Sequence, residues 1–147
     1  MTDSIRQQLI DKIDARFKTI TTANGYKTNI GSHVYDWLGR ELDDSELDAL
    51  IYRDVLSEIE VGTIHEYSNQ LRLEIEVKTK LASSTAKQVR KMIEDVYKAI
   101  GVDDRWSGLA IDTQPVSEMI DLQQYEEIMG SAMIVVAIEY DTDKWVY

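Results

Sequence analysis

The sequence predicts an α+β fold, an antiparallel or mixed β-sheet with two main α-helices packed on one face, in a single domain covering residues 1–147. Three observations carry this. Leu71, Leu73, Ile75, Val77 and Leu81 alternate with Arg72, Glu74, Glu76, Lys78 and Lys80, the period of a strand with one dry and one wet face. Two other segments carry apolar stripes at helical spacing, one before this strand and one after it. Runs of short apolar segments between turn residues fill the rest and read as further strands.

The first helix begins at a candidate capping box, Ser4 with Gln7. Ile5, Leu9, Ile13, Phe17 and Ile20 form its stripe, which extends to about Thr22. Asn24-Gly25 is the expected stop, since both residues tolerate the left-handed conformation. Val34–Leu38 reads as a short strand between Gly31 and Gly39, and residues 43–46 as a loop or one helical turn. Ala49–Tyr52 is a short buried strand. Val55–Ile64 is a second strand or hairpin arm, with Gly62 as a bend or bulge.

The second helix opens at Ser83–Thr85, with Thr85 and Gln88 as another candidate box, and ends at Gly101. Its stripe is Ala86, Val89, Ile93, Val96, Tyr97 and Ile100. Lys87, Arg90, Lys91 and Lys98 lie off that stripe, with Arg90–Glu94 and Lys91–Asp95 spaced as ion pairs. Trp106 sits in the following loop. Leu109, Ile111 and Val116 suggest another strand, which Pro115 places at an edge or bulge. Ser117–Gly130 reads as strand and turn. Met133–Tyr140 is the most apolar run and reads as a central strand under both helices.

Composition narrows the function. Apolar residues are 44% and charged residues 29%, a globular balance. The N-terminus lacks the basic and apolar regions of a signal peptide, and no apolar run is long enough to span a membrane. There are no cysteines, which excludes disulfides, thiolate metal sites and cysteine nucleophiles. His33 and His65 have no ligand-spaced partner. No phosphate-binding glycine loop and no nucleophile elbow is present. Glu74 and Glu76 share a strand face roughly 7 Å apart, but basic neighbours mark that as a solvated surface. The chain is therefore read as no enzyme, with no catalytic, cofactor-binding or metal residues.

The net charge is −11, with net −7 in residues 41–60 and net −6 in residues 117–147. Such a surface opposes tight nucleic-acid binding, which requires lysine and arginine to displace counterions. The acids Asp43, Asp44, Glu46 and Asp48 are the densest group. Trp145 and Tyr147 sit where a chain end usually frays, so they either fold back or dock on a neighbour.

The order of these pieces is similar to that of the tail terminator (tail completion, minor tail) proteins of long-tailed bacteriophages. The similarity runs from the helix ending at Asn24-Gly25, through GYKTNIG, HVYDWL and ALIYRD, to the 71–81 strand, the second helix and a closing EYDTDKWVY. Asp48 departs from it, standing where many such sequences carry a proline. The resemblance implies a structural virion subunit of a phage or prophage, assembled in the host bacterial cytoplasm and residing in the virion tail. It implies a homo-oligomeric ring, commonly a hexamer, that caps the tail tube and joins it to the head–tail connector protein. The expected partners are thus itself, the tail tube protein and the connector, with no membrane and no cofactor. Tyr26, His33, Trp37, Trp106, Trp145 and Tyr147 are the expected interface residues. Asp43, Asp44, Glu46 and Asp48 are the expected lumen or acidic surface. Two alternatives stand beside this: an acidic DNA mimic or other protein-binding inhibitor, and a host interaction module.

Overall fold

The computed structural model describes residues 2–80, 84–124 and 128–147. Helix α1 spans Ile5–Phe17, shorter than its stripe suggests. The Ser4 hydroxyl accepts the Gln7 amide at 3.1 Å, while the Gln7 side chain donates to Asp11 instead, so the box is half formed. Leu9, Ile10, Ile13 and Phe17 are buried. Ile20 is buried too, although it lies beyond the helix. Its backbone accepts the Gly31 amide at 2.9 Å. A Cβ on Gly31 would meet the Ile20 carbonyl at 2.7 Å and the Lys18 carbonyl at 2.8 Å, so only glycine permits this approach. Gly25, at φ +86°, closes a single 3-10 turn over Thr22–Asn24 rather than the helix itself.

Five strands follow: β1 Val34–Asp36, β2 Ala49–Val61, β3 Glu66–Lys80, β4 Asp112–Gln124 and β5 Ile128–Asp143. Their order is β1-β2-β3-β5-β4. β1 runs parallel to β2 and all other pairs are antiparallel, so the sheet is mixed. β3 is the central strand, with β5 beside it rather than in the middle. The 71–77 alternation is realised: Leu71, Leu73, Ile75 and Val77 are fully buried. Leu81, Ser83 and Glu126 fall outside the described residues.

Ala49–Tyr52 and Val55–Val61 are one strand. A bulge between Asp54 and Leu56 breaks the alternation that would have joined them. The extra residue shifts parity, so Leu50, Tyr52 and Asp54 share the helix side with Ser57, Ile59 and Val61. Gly62 lies past the strand end, in the connection to β3. Pro115 is on an edge strand and at a bulge, between Pro115 and Ser117, as its missing N–H requires. Leu109 and Ile111 precede that strand.

Helix α2 spans Thr85–Val102, one residue past Gly101. Its buried face holds Val89, Met92, Ile93, Val96, Ala99 and Ile100, and Tyr97 is turned outward. The expected box is absent; Ser84 occupies the cap position in the left-handed region without a side-chain cap bond. The Gln88 amide instead donates to Asp48. Neither expected ion pair forms. Glu94 pairs with Lys27 at 2.7 Å. Asp95 is buried and accepts from the Lys27 amide, the Thr28 amide and the Thr28 hydroxyl at 3.0, 2.8 and 2.6 Å. That carboxylate ties the loop before β1 to α2. Three charge-assisted bonds satisfy a charge that burial would otherwise penalise.

α2 lies over β5 and β3, and α1 lies beside α2 toward β1. Both helices share one apolar cluster with the sheet. Phe17 and Tyr52 stack at a tilt with ring centres 6.2 Å apart, and the Tyr52 hydroxyl donates to Asp14 at 2.9 Å.

Candidate assembly surface

α1 begins at Ile5, and its cover of the sheet ends at Asp54. The Arg6 guanidinium marks that limit, donating to the Asp54 carboxylate at 2.8 Å and to its carbonyl at 3.1 Å. Beyond it β2 and β3 continue as a paired hairpin to Val61 and Tyr67. The helix-side residues Ile59 and Val61 are therefore left without a helix above them and are exposed, at 60% and 75%.

Residues 144–147 cross this bare stretch. The Lys144 amide donates to the His65 carbonyl at 2.9 Å, and the Ile5 amide donates to the Tyr147 carbonyl oxygen at 3.2 Å. Trp145 meets Tyr67 edge-on at 6.0 Å, and Arg6 lies 5.4 Å from the Tyr147 ring centre. A groove of about 250 Å³ remains, lined by Arg6, Ile59, Tyr67, Tyr140, Trp145 and Tyr147. The segment folds back, yet its aromatic rings stay in solvent: Trp145 is 86% exposed and Tyr147 65%. Trp37 joins the same end. Its backbone is left-handed at φ +51°, and its indole N–H donates to Asp54 at 2.7 Å. Ile64, in the connection after β2, is also exposed, and clustered exposed apolar side chains of this kind are what interaction surfaces are made of.

The other expected interface residues lie elsewhere. Tyr26 packs against the core edge under the Lys98 ammonium, 4.9 Å from its ring centre. His33 is half-buried, its Nδ1 3.3 Å from the Asp48 carbonyl. Trp106 must be corrected from interface to core. It is fully buried, its indole N–H donates to Thr113 at 3.0 Å, and Arg16 lies 4.9 Å from its ring centre.

The four acids of 43–48 are largely engaged. Asp43 caps a single 3-10 turn over Asp44–Glu46 and Asp44 pairs with Lys80 at 2.7 Å. Glu46 is gripped by Arg40 at 2.7 and 2.8 Å, the Tyr35 hydroxyl at 2.5 Å and the Asp43 amide at 3.1 Å. The hydrogen bonds from Arg40 first, then from Tyr35 and Asp43, hold its carboxyl well below the usual carboxylate range. A depressed carboxyl contributes stability above its unfolded value and loses it as pH falls through the folded one. Glu46→Gln is thus expected to lower the melting temperature at neutral pH. The gap from the parent should close in strongly acidic buffer; a gap constant from pH 7 to pH 2 would contradict this. Solvent screening keeps the effect small. Asp48 accepts from Thr79 and from Gln88, the latter at 2.9 Å, at the cis Leu47–Asp48 peptide. Among the described residues, acids whose side chains have no ion-pair or hydrogen-bond partner gather instead on the helix-free face at the far end of the sheet, where Glu58, Glu60 and Glu139 line a shallow groove.

A second apolar surface was not expected from the sequence. Edge strand β4 exposes Ile120 and Leu122 on the helix side, Met119 on the other side and Val116 at the bulge. The available signal was faint, an irregular apolar scatter in 116–122 with neither period.

No family model matches the chain, and no curated protein matches it. Among solved structures, one chain described as belonging to the virion of a native gene transfer agent particle is similar to it. The likeness covers 95% of this chain and 92% of that chain, with 12% identity and a TM-score of 0.45.

Proposed function

We propose that this chain is a structural subunit of a phage or prophage tail, of the tail terminator kind. It assembles into a homo-oligomeric ring that caps the tail tube and meets the head connector. The observation that carries this reading is the pair of separated apolar surfaces, one at the far end of the β2–β3 hairpin and one on β4. A head-to-tail ring buries two different patches per subunit, and a two-fold dimer needs only one. The order of sequence elements supports the tail terminator reading. The acidic surface suits a channel that DNA passes without being held, since carboxylates repel phosphate.

Two experiments test it. Added to its polymerising tail tube protein, the chain should stop growth and sit at one tube end; tubes of unchanged length would contradict the capping role. Fluorescence anisotropy with duplex DNA should show no submicromolar complex at physiological salt. The DNA-mimic alternative predicts the same null result with DNA but tight capture of a DNA-binding enzyme and no effect on tubes.

A further inference from the structure

The sheet has two unpaired margins. β4 is an edge along its whole length, Asp112–Gln124. On the opposite side β1 covers β2 only from Leu50 to Tyr52, so among the described residues nothing pairs with the outer margin of β2 from Leu56 to Val61. Open edges of this length are templates for another strand. We propose that copies of this chain join head to tail by a staggered antiparallel strand pairing, with residues 117–123 of β4 in one copy lying along residues 56–61 of β2 in the next. This deepens the ring reading and rests on it for the identity of the partner.

Strand direction fits. β2, β3, β5 and β4 are successively antiparallel, so β4 runs opposite to β2. A neighbour related by rotation about a ring axis therefore brings β4 against β2 in the antiparallel sense, with the helix sides of both sheets continuous. Side-chain parity also fits. Ile120 and Leu122 pair with Ala132 and Gly130, and Ala132 faces the helices, while Ile59 pairs with Asn69 on that same side. Continuing the sheet sets exposed aliphatic side chains of one copy beside those of the other. The first half of β4 is a poor partner because Pro115 has no N–H and a bulge follows it. The usable stretch is what remains.

The usable stretches, past β1 on one margin and past the Pro115 bulge on the other, lie at opposite ends of the sheet, and this sets the stagger. The end of the sheet holding Leu56–Val61 carries Glu58, Glu60, Glu66, Glu139, Asp141 and Asp143, all on the helix-free face, against Arg72, Lys144 and His65. The opposite end, where Leu122 lies close to the first turns of α2, carries Lys87, Arg90 and Lys91. Among the described residues none of these three is in an ion pair. A level pairing would leave both ends unmatched. The stagger brings an end with basic side chains on α2 to an acidic end of the next copy; the two groups lie on opposite faces of the continued sheet, so this is a long-range match and the open edges, strand direction and parity carry the joint. Of the acids within 117–123, Glu118 accepts the Tyr97 hydroxyl at 2.9 Å and Asp121 shares a groove with Lys78.

The absence of cysteine makes a direct test available. Ile59→Cys is combined in turn with Glu118→Cys, Ile120→Cys or Leu122→Cys on the helix side, and with Met119→Cys or Asp121→Cys on the other side. All are exposed positions, and circular dichroism melts verify folding of each variant. Under mild oxidation the best helix-side pair should give a ladder of covalent oligomers at least tenfold stronger than either opposite-side pair. A companion test mixes Ile59→Lys with Ile120→Lys. Each alone should fail to assemble, and the mixture should stop at dimers, since one good joint survives. If the parent assembles but the cysteine pairs show no face preference, or the mixture does not rescue dimers, the pairing is overturned while the ring reading stands. If the parent stays monomeric at every concentration and no pair cross-links, both fall.

Discussion

Replacing Trp145 and Tyr147 with alanine is expected to weaken self-association by roughly 30-fold or more while leaving the monomer nearly as stable as before. The two rings are mostly in solvent, so their removal uncovers little core. Substitutions at such positions usually change stability by about 0.5 kcal/mol or less. At an interface a single such ring acting as an anchor contributes about 2 kcal/mol, a factor of about 30 since 1.4 kcal/mol is a factor of ten in affinity, and the second ring adds to it. The segment's backbone ties, Lys144 to His65 and Ile5 to Tyr147, survive both substitutions. Sedimentation velocity gives the association constant and a thermal melt gives the monomer's stability. A melting temperature that falls in step with association would instead make 144–147 part of the monomer core.

Trp106→Ala is expected to do the reverse, destabilising the monomer by about 3–5 kcal/mol through the cavity it leaves. That is a large share of the 5–15 kcal/mol that typically holds a domain of this size. The indole fills the space under the loop after α2, and its N–H donates to the Thr113 hydroxyl, which itself donates to the Asp104 carbonyl at 2.7 Å. Arg16 lies against the ring and donates to the Ala99 carbonyl at 2.9 Å, so α1 and α2 both lean on this site. Trp106→Phe keeps most of the volume and should cost about half as much or less. Urea unfolding followed by circular dichroism distinguishes these outcomes. A loss under 1 kcal/mol for the alanine variant would return Trp106 to the surface.

These two tryptophans show where sequence reasoning reached its limit. Both sit in turns at positive φ, 53° for Trp106 and 59° for Trp145, where no periodic pattern indicates which way a side chain points. By contrast the 71–77 alternation fixed both faces of β3, because a period of two leaves no other solution. Pro115 located an edge for the same kind of reason, since it has no N–H to give. The stripe of α2 was read in phase, with Val89, Ile93, Val96 and Ile100 buried as expected, and missed only at its flanks. Met92 and Ala99 are inside and Tyr97 outside, because aromatic character drew Tyr97 into a face that its angle does not reach. β2 was divided at Asp54 because a bulge imitates a break in alternation. The acidic cluster was legible as charge but not as geometry. The partners that engage Glu46, Asp44 and Asp48 include Arg40, Lys80 and Gln88, and all but Arg40 are distant in the chain. Local charge density therefore marked a tethered loop, while Glu58 and Glu60 of β2 come together with Glu139 of β5 at the far end of the sheet.

The account depends on one property above all, assembly into a closed ring through two different surfaces. Native mass spectrometry of the purified chain over a range of concentrations tests it most directly. A single closed species, six subunits by the resemblance, should grow at the expense of monomer, with no larger ladder above it. A chain that remains monomeric at every concentration, or that stops at a dimer, would contradict the central claim.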